Sequence, residues 1–515
     1  MKKHFLGIAF ALLLIGTLIV AVPIKAFDGQ IKIGIIGPVG LPHWSPAGMK
    51  EGAELARDEI NTAGGVSLPG GNYEIVLAFG DEKAYPTPDP DGAAAEVERL
   101  ITVEECQYII GGFRTEVVTA MIEKAASYGV PFIINGASTD ELIGDTVGAD
   151  YATYKYTFRL NPVNSTTLFY TIAGSLAYYL IPYKLLPLYG HDLDGNAATP
   201  DQVRVAVIAE DLEWTNTMYY YLTNPLVYPY VLGPNVNVTY SARVPDGTTN
   251  FVPYMTSLIA SQARLVIHIF SGVSGVPFIA TWKAMNVEAL PVGINVLGQL
   301  ESHWSTTSGA CEYETILDFS GTETPIIPGK TEVFWDNFVA YAGTWPIYPA
   351  WGAYDGIYAL KEAFEATGST NKDTILAHFE TPSYQRQGLN GIFKFTSLHD
   401  VLSNEPGPTW TQGLVRAMLV QWGRGGLKEV VSPVDQVYSK KWAIPPWMYP
   451  LVEDITYDGK VDIKDIALAA KAFGTIPGDT RWEKEADINF DDKVDIKDIA
   501  TIAKKFGTVI TLPLP

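Results

Sequence analysis

Short runs of apolar residues alternate with segments of helical apolar spacing over residues 31–142. The alternation is clearest where an apolar run at 108–110 precedes a helical pattern at 116–128 and a second apolar run at 130–134. Such runs predict buried strands, and the segment between them predicts a crossover helix. Because strands connected in this way are parallel neighbours, the pattern predicts a β-α-β unit within an open parallel sheet.

The same periodicity extends this unit into two lobes. The first lobe is completed by predicted strands at 31–36 and 73–78 and predicted helices at 47–60 and 93–100. From residue 156 the alternation begins again, and the second lobe is predicted to contain strands at 203–209, 264–270, 293–297 and 391–395 and helices at 166–180 and 354–366. Two doubly wound α/β lobes, with the chain passing between them more than once, predict a hinge.

Glycine and hydroxyl residues follow both strands of the β-α-β unit. Thr115 comes after the first strand, and Gly136, Ser138 and Thr139 come after the second. Ligands of open parallel sheets bind beyond the carboxyl ends of the strands, where the N–H groups that open each helix favour an anion. Glycine at a strand end also makes ordinary turns, but two adjacent ends with matching chemistry favour a binding site.

Composition narrows the class of protein. The chain of 515 residues is long enough for two or three domains, and its content of 47% hydrophobic and 18% charged residues is typical of a globular protein. A formal net charge of −21 argues against a nucleic-acid partner. The two cysteines, Cys106 and Cys311, cannot supply a disulfide framework. We expect two buried free thiols, although the sequence leaves their pairing open.

The amino terminus has the layout of an export signal spanning residues 1–26. Lys2 and Lys3 precede an apolar run at 5–22, and Ala26 is the predicted cleavage point. The run is nearly long enough to span a bilayer, so an uncleaved anchor is the alternative. Both interpretations place the body of the protein outside the cytoplasm, in the extracellular space or at the cell surface.

The carboxyl-terminal part contains an internal repeat. A proline-rich segment ends a body predicted to span residues 27–446, and a linker at 447–453 leads to a module at 454–508. Within the module, the sequences DITYDGKVDIKDIALAAKAF and DINFDDKVDIKDIATIAKKF begin at Asp454 and Asp487, an offset of 33 residues. The module is therefore predicted to consist of two equivalent loop–helix units.

Each repeat places oxygen-bearing side chains at positions one, three, five, nine and twelve of a loop, and position seven offers its backbone carbonyl. Calcium takes about six to eight oxygen ligands, and this spacing wraps such ligands around one ion. An acidic loop alone is more often a solvated surface, but two nearly identical copies predict two Ca²⁺ sites. The predicted ligands are Asp454, Thr456, Asp458, Lys460, Asp462 and Asp465 in the first loop and Asp487, Asn489, Asp491, Lys493, Asp495 and Asp498 in the second.

These loops resemble dockerins, the calcium-dependent modules that dock onto cohesin domains. Aspartate at position twelve and the missing entering helix distinguish them from an ordinary EF-hand pair. The resemblance implies a cohesin-bearing partner, contacted in part by the Ile-Lys pairs that begin at Ile463 and Ile496. Asp492 replaces the turn glycine of the first loop, Gly459, and must adopt a left-handed backbone. Together with Thr456 at position three, it predicts weaker calcium binding in at least one loop.

The body resembles the leucine/isoleucine/valine-binding proteins, the periplasmic receptors of branched-chain amino acid ABC importers. The resemblance is carried by IKIGIIGPVG at 31–40, EGAELARDEINTAGGV at 51–66, the β-α-β unit, and YPAWGAYDGIYALKEAF at 348–364. It implies two α/β lobes that close on a small-molecule ligand, and the permease of an ABC importer as a partner.

The resemblance also implies roles for individual residues. Thr115 stands where the family has a serine that binds the ligand carboxylate. Gly136 is expected to offer backbone contacts, and Ser138 a hydroxyl and an N–H. Trp214 matches an aromatic residue of the second lobe that covers the ligand, and Trp44 lies close to another aromatic position.

The acid that holds the ligand ammonium group in this family is matched only approximately. Glu301 corresponds to it with a shift of one residue, and Val273 replaces an expected aromatic residue. An amino acid is therefore the first expected ligand, and amides, small acids and sugars are the alternatives.

Three classes of function fit these features. The first is a solute-binding protein whose dockerin tethers it to a cohesin-bearing surface partner near its importer. The second is a polysaccharide-degrading enzyme, because dockerins are often fused to such enzymes. No GxSxG, HExxH or convincing carboxylate-pair motif supports catalysis, however. The third is a sensory or structural surface protein with the same fold but no importer. We predict the first class, without enzymatic activity.

Overall fold

A computed structural model describes residues 27–189, 202–319, 329–403, 414–415, 417–432, 442–448, 453–456, 460–489 and 491–509. The predicted signal at 1–26, residues 449–452 of the predicted linker, and Asp458 of the first predicted calcium loop lie outside these ranges. Within them, no helix is both long and apolar enough to cross a membrane.

The first lobe is built on a sheet of six strands. In chain order they are β1 (Gly29–Gly37), β2 (Val66–Leu68), β3 (Gly71–Asp81), β4 (Tyr108–Gly111), β5 (Phe132–Asn135) and β6 (Thr157–Asn161). Their order across the sheet is β2-β3-β1-β4-β5-β6, and only the pair β2 and β3 is antiparallel. The helices are α1 (Met49–Thr62), α2 (Pro90–Thr102), α3 (Thr115–Tyr128), α4 (Glu141–Gly144) and α5 (Tyr151–Tyr154). The succession β4, α3 and β5 confirms the predicted β-α-β unit.

The chain enters the second lobe through α6 (Ser165–Ser175), which continues as a π-helix (Leu176–Leu185) and α7 (Leu186–Tyr189). The helices that follow are α8 (Asn216–Thr223), α9 (Tyr228–Val231), α10 (Val252–Ala260), α11 (Gly275–Ala284) and α12 (His303–Thr306). They surround the parallel strands β7 (Val203–Glu210), β8 (Val236–Val244), β9 (Leu265–Phe270), β10 (Leu290–Asn295) and β11 (Thr315–Asp318).

After β11 the chain returns to the first lobe and then crosses back. The returning elements are α13 (Thr331–Ala342), α14 (Tyr348–Thr367), α15 (Lys372–Phe379), β12 (Arg386–Gln387) and β13 (Ile392–Phe393). The antiparallel strands β14 (Met418–Trp422) and β15 (Lys428–Ser432) then complete the second sheet, in the order β15-β14-β11-β10-β9-β7-β8. The chain therefore passes between the lobes more than once, as predicted.

Helix α14 belongs to the first lobe, so the prediction that a helix at 354–366 lies in the second lobe is wrong. It crosses α1 at Gly52, where a Cβ atom would lie only 2.2 Å from the carbonyl oxygen of Ala350. Only glycine allows the two helix backbones to approach so closely. The predicted strand at 391–395 is likewise absent from the second sheet, because β13 pairs with β12 in a separate two-stranded sheet. The position of a helix or strand late in the chain therefore does not reveal which of the two lobes it belongs to.

The carboxyl-terminal module has its own small core. Its helices α16 (Ile463–Ala472) and α17 (Ile496–Lys504) each begin directly after one of the repeated loops. Val461 and Val494, one from each loop, are fully buried in the same cluster, so the two loops pack as a pair. Before the module, Trp447 packs on Trp282 of the second lobe, with ring centroids 5.5 Å apart.

The second lobe encloses a cluster of buried polar side chains. The Glu314 carboxylate is hydrogen-bonded to Nε2 of His303 at 2.7 Å and to Nδ2 of Asn295 at 2.8 Å, and Nε2 of His268 lies 3.4 Å away. Burial opposes the charged form of Glu314, but the nearby charges of His303 and His268 and the hydrogen bond from His303 outweigh it and lower the pKa of Glu314 to about 2. This carboxylate therefore connects β9, β10 and α12.

The two cysteines are both buried and free, as expected. Burial raises the pKa of the Cys106 thiol to about 11 and that of Cys311 to about 12. Both thiols are therefore poor nucleophiles at neutral pH.

Replacing Glu314 with alanine should lower the free energy of unfolding by about 3–5 kcal/mol, because it leaves His303, His268 and Asn295 buried without their charged partner. Chemical denaturation of the full chain, followed by tryptophan fluorescence, measures this change. Glu301→Ala, at an exposed position of the same lobe, is the matched control and should change stability by no more than about 0.5 kcal/mol. A loss for Glu314→Ala no larger than that of the control would contradict the structural role of the cluster.

Candidate functional site

A cleft between the two lobes contains four of the six residues predicted to bind a ligand. It encloses about 530 Å³ of empty space, part of which is open to solvent. The first lobe and the crossover to α6 contribute Phe113, Arg114, Thr115, Glu116, Gly136, Ser138, Pro162, Leu168 and Tyr348. The second lobe contributes Trp214, Ser271, Ile294, Val296, Gln299, Leu317 and Phe319. Thr115, Gly136, Ser138 and Trp214 are thus brought together.

The polar end of the cleft lies at the start of α3. Thr115 is the first residue of that helix, and no described side chain caps its first turn. The Thr115 hydroxyl oxygen lies 2.5 Å from that of Thr139, and the Ser138 hydroxyl lies 3.2 Å from that of Ser165. Uncapped N–H groups, the helix dipole and a row of hydroxyls together favour an anion such as a carboxylate.

Buried Glu82 holds the loop that leads into α3. Its carboxylate accepts hydrogen bonds from the backbone N–H groups of Phe113 at 2.6 Å and Arg114 at 3.2 Å. Burial raises the pKa of Glu82 to about 8, and the two backbone hydrogen bonds only partly oppose this shift. The ring of Phe113 lies between those of His43 and Tyr348, with centroids 4.2 Å and 6.2 Å away. The loop and the aromatic wall of the cleft are therefore fixed together.

The second lobe uses a glutamate in the same way. The buried carboxylate of Glu210, at the end of β7, accepts the backbone N–H groups of Ser271 at 2.7 Å and Gly272 at 3.1 Å. Burial raises its pKa above the usual range. The Ser271 hydroxyl donates to Glu210 and accepts the indole N–H of Trp214 at 3.2 Å. Glu210 therefore orients Trp214, the predicted cover of the ligand, through Ser271.

Polar contacts join the lobes across the cleft. Arg114 donates one hydrogen bond to Glu116 at 3.3 Å and another to Asp246 of the second lobe at 3.1 Å. The Ser165 hydroxyl lies within hydrogen-bonding distance of the backbone carbonyl of Trp214, at 3.0 Å. The side chain of Arg114 is only 11% exposed. These contacts hold the two lobes against one another at the cleft.

Trp44 and Glu301 do not line the cleft. Trp44 is buried in the first lobe, where it packs edge-on against Phe79 with centroids 5.9 Å apart, whereas Glu301 is exposed. Among the described residues that line the cleft, Glu116 is the sole carboxylate, and Arg114 pairs with it. The described lining of the cleft therefore offers no unpaired acid to hold an ammonium group.

Several lining residues were not predicted from the sequence. Tyr348 donates its hydroxyl to the carbonyl of Gly136 at 3.0 Å, and a signal for it existed, since it opens the YPAWGAY motif. Phe113 stands two residues before Thr115 and could have been included on that ground. Phe319 and Gln299 follow strands of the second lobe, and nothing in their local sequence distinguishes them.

The predicted calcium loops bury their first and last carboxylates. Asp454 and Asp487 at position one are 2% and 1% exposed. Asp465 and Asp498 at position twelve are fully buried and accept backbone N–H groups within their loops, Asp465 from Thr456 at 2.9 Å and Asp498 from Ile488 at 3.0 Å. Buried carboxylates are costly unless they are paired or coordinate a metal, so the donor set fits a hard cation.

The other predicted ligands that the structure describes are partly or fully exposed at the edges of the two loops. Asp462 and Asp495 cap α16 and α17 and also pair with the side chains of Lys460 and Lys493. Asn489 and Asp491 lie in the second loop, where Asn489 accepts the N–H of Asp491 at 3.0 Å. Among the described residues, no three acidic, histidine or cysteine side chains converge as they would around a bound metal.

The backbone of Asp492 is left-handed, with a φ of 65°, as its replacement of a turn glycine predicts. An aspartate tolerates this conformation better than most side chains. The second loop therefore makes the same turn as a glycine-containing loop but adds a carboxylate to it.

Replacing Glu82 with glutamine should remove the fall in stability that Glu82 causes as the pH rises from about 4.5 to about 8. Between the ordinary pKa of 4.5 and the folded value of about 8, the folded protein holds a proton that the unfolded chain has released. Stability therefore falls as pH rises through this window. The stability of Glu82→Gln relative to the wild type should increase from pH 5 to pH 8, as measured by denaturation midpoints. Glu123→Gln, at an exposed position, is the control, and parallel profiles for Glu82→Gln and wild type would refute the assignment.

The chain matches two family models. The model described as periplasmic binding protein matches residues 30–401, and the dockerin type I domain model matches residues 452–507. The Leu/Ile/Val-binding protein homolog 7 of Brucella suis biovar 1 is 26% identical over 271 residues, which are 52% of this chain and 57% of the relative. Homolog 8 of Brucella abortus (strain 2308) is 32% identical over 111 residues, 22% of this chain and 24% of the relative. The chain thus spans less than two thirds of these relatives.

Solved structures share the fold of the body. The putative branched-chain amino acid ABC transporter protein from Silicibacter pomeroyi has a TM-score of 0.64 and 18% identity, covering 81% of this chain and 100% of that one. The substrate-binding protein LivJ from Streptococcus pneumoniae, in complex with isoleucine, has a TM-score of 0.59 and 18% identity, covering 78% and 99%. A solute-binding protein from R. palustris, in complex with benzoate, has a TM-score of 0.58 and 16% identity, covering 80% and 100%.

The family model of the body covers well over half of the 515 residues, and the two-lobed α/β architecture agrees with it. This protein therefore belongs to the periplasmic binding protein family and carries a dockerin type I domain at its carboxyl terminus.

Proposed function

We propose that this protein is an extracytoplasmic solute-binding protein that captures a small carboxylate-bearing solute, in the first instance an amino acid, for an ABC importer. The observation that carries the proposal is the cleft, in which the uncapped start of α3 with Thr115 and Ser138 faces an apolar wall. Membership of this family implies export, which agrees with the predicted signal at 1–26.

The chemistry of the cleft defines how such a solute would bind. Its carboxylate would be held by the N–H groups of α3 and the hydroxyls of Thr115 and Ser138. The apolar remainder would pack against Leu317 and Phe319, and the indole of Trp214 would cover it. Closure over the ligand would be supported by the ion pair between Arg114 and Asp246, which spans the two lobes.

A second candidate is a receptor for an apolar acid that has no ammonium group. The observation that favours it is the absence of an unpaired carboxylate among the described residues lining the cleft. The structural neighbours include the R. palustris protein in complex with benzoate and one from Rhodopseudomonas palustris BisB5 in complex with 3,4-dihydroxybenzoic acid. An aromatic or branched acid would use the same carboxylate site and the same apolar wall.

A thermal-shift screen with matched ligands separates the two candidates. Leucine and 4-methylpentanoate differ only in the ammonium group, and benzoate, acetamide and glucose extend the panel. A ligand present at one hundred times its Kd stabilises the folded state by about 2.7 kcal/mol, which raises the Tm by a few degrees. A shift with leucine alone supports the amino acid, and a shift with 4-methylpentanoate or benzoate supports the acid receptor.

The double variant Thr115→Ala, Ser138→Ala should abolish whichever shift is found. Thr171→Ala, which removes a buried hydroxyl outside the cleft lining, is the control and should retain it. A shift that survives in the double variant would show that the ligand binds elsewhere. The absence of any shift would favour a sensory or structural surface protein.

We propose no catalytic role for the body. Glycoside hydrolysis generally needs two carboxylates on either side of the bond to be cleaved, and Glu116 is the sole carboxylate among the described cleft-lining residues. A polysaccharide-degrading activity therefore has no support in this cleft.

Dockerin type I domains bind calcium, and we propose that this one holds two ions and docks onto a cohesin-bearing surface partner. Ile463 and Ile496, at position ten of the two loops, are 64% and 65% exposed. Two equivalent exposed apolar residues provide matching contact points for such a partner. The contact would hold the receptor near its importer.

Calorimetric titration of the full chain with calcium should give a stoichiometry of two. Asp465→Ala and Asp498→Ala should each reduce it to one, because each removes the position-twelve carboxylate of one loop. Asp479→Asn, outside both loops, is the control and should leave it unchanged. A wild-type stoichiometry of one, or two ions retained in both loop variants, would refute the two-site proposal.

A further inference from the structure

The hairpin turn between β14 and β15 reaches the second loop of the dockerin. Arg424, in this turn, donates a hydrogen bond to the Asp487 carboxylate at 2.8 Å and lies 2.6 Å from the Asp492 carboxylate. The side chain of Asp487 is fully buried and that of Arg424 is 24% exposed. Since Asp487 is the position-one ligand, a guanidinium of the body lies at the edge of the proposed calcium site.

The sequence of the second loop matches this contact. Asp492 occupies the position of Gly459 in the first loop, although its left-handed φ of 65° would favour glycine. The ion pair with Arg424 gives the aspartate a role that a glycine cannot fill. The unusual residue in the loop and the arginine opposite it are independent observations. Both indicate a specific contact between the body and the module.

We propose that the Arg424 turn and Ca²⁺ compete for the second loop, so that calcium loading loosens the module from the body. Both cations would interact with Asp487 at close range, and two positive charges a few ångströms apart repel one another. The coupling is reciprocal: if Arg424 lowers the affinity of the loop for calcium, calcium weakens the Arg424 contact by the same factor. The proposal rests on the second calcium site proposed above.

Calcium titration of the full chain tests the first half of this coupling. Arg424→Gln should raise the affinity for one of the two ions by about five- to tenfold, at the lower end of the usual range of coupling between sites, and leave the other unchanged. Arg57→Gln is the matched control, because the Arg57 side chain is similarly exposed, at 25%, and pairs with Asp58 in the first lobe. Its isotherm should match that of the wild type.

Small-angle X-ray scattering of the full chain tests the second half. The radius of gyration of the wild type should increase when EGTA is replaced by calcium, because the module separates from the body. Arg424→Gln should have the larger radius already in EGTA. Asp498→Ala, which removes a ligand of the second loop, should keep the smaller radius in calcium.

The outcomes distinguish a failed calcium site from a failed coupling. If Asp498→Ala binds as much calcium as the wild type, the second site does not exist and the proposal falls with it. If Asp498→Ala loses one ion but Arg424→Gln has the wild-type isotherm and the radius does not respond to calcium, the site stands and the competition is refuted. Tighter binding in Arg424→Gln together with calcium-dependent expansion of the wild type supports it.

Discussion

The cleft depends on how the backbone N–H groups just beyond the strand ends are satisfied. A buried N–H group without a partner is costly, and no neighbouring strand continues there to accept it. Glu82 in the first lobe and Glu210 in the second each accept two consecutive N–H groups of this kind. Both glutamates are fully buried. Desolvation of their carboxylates is unfavourable, and the hydrogen bonds to the two loops offset part of that cost. The ligand-facing groups, from the start of α3 to Trp214, take their positions from these loops.

Closure of the lobes uses few polar contacts, and charged groups at the cleft take part in them. Arg114 pairs with Glu116 of its own lobe and with Asp246 of the other. With those charges paired, what remains to recognise a solute is a set of hydroxyls and backbone N–H groups against an apolar wall. Such a surface offers donors for a carboxylate and an apolar wall for the rest of the molecule, two features that both candidate classes of solute share. The family fold therefore leaves the choice of solute to a small number of side chains.

The sequence predicted best what depends on local pattern. The parallel strands and α3 follow from hydrophobic periodicity, and Thr115, Gly136 and Ser138 follow from their places just after strands. Trp44 and Glu301 were expected in the cleft from the family resemblance, but Trp44 packs against Phe79 in the first lobe and Glu301 is exposed, and the sequence pattern does not specify the direction of a loop side chain.

Contacts between segments far apart in the chain could not be predicted from the sequence. The packing of α14 on α1 is decided by the surfaces of two helices some 300 residues apart, and no local feature of either records it. The pairing of Arg424 with Asp487 is of the same kind. The left-handed backbone of Asp492 could be predicted, because it depends only on the repeat in which the residue lies.

The attachment of the dockerin has a mechanical consequence. The packing of Trp447 on Trp282 just before the module, and the contacts of Arg424 with Asp487 and Asp492 of the module, all involve the second lobe. A surface partner that holds the calcium-loaded dockerin would still hold the second lobe through the chain at Trp447, even where calcium weakens the Arg424 contact, and the first lobe would be the half that moves. Opening would then move the first lobe, with the site at the start of α3, towards the solvent. Closing would return that lobe, with any bound solute, to the second lobe. A receptor tethered in this way would capture its solute by rotation of one lobe about the hinge, without diffusing as a whole.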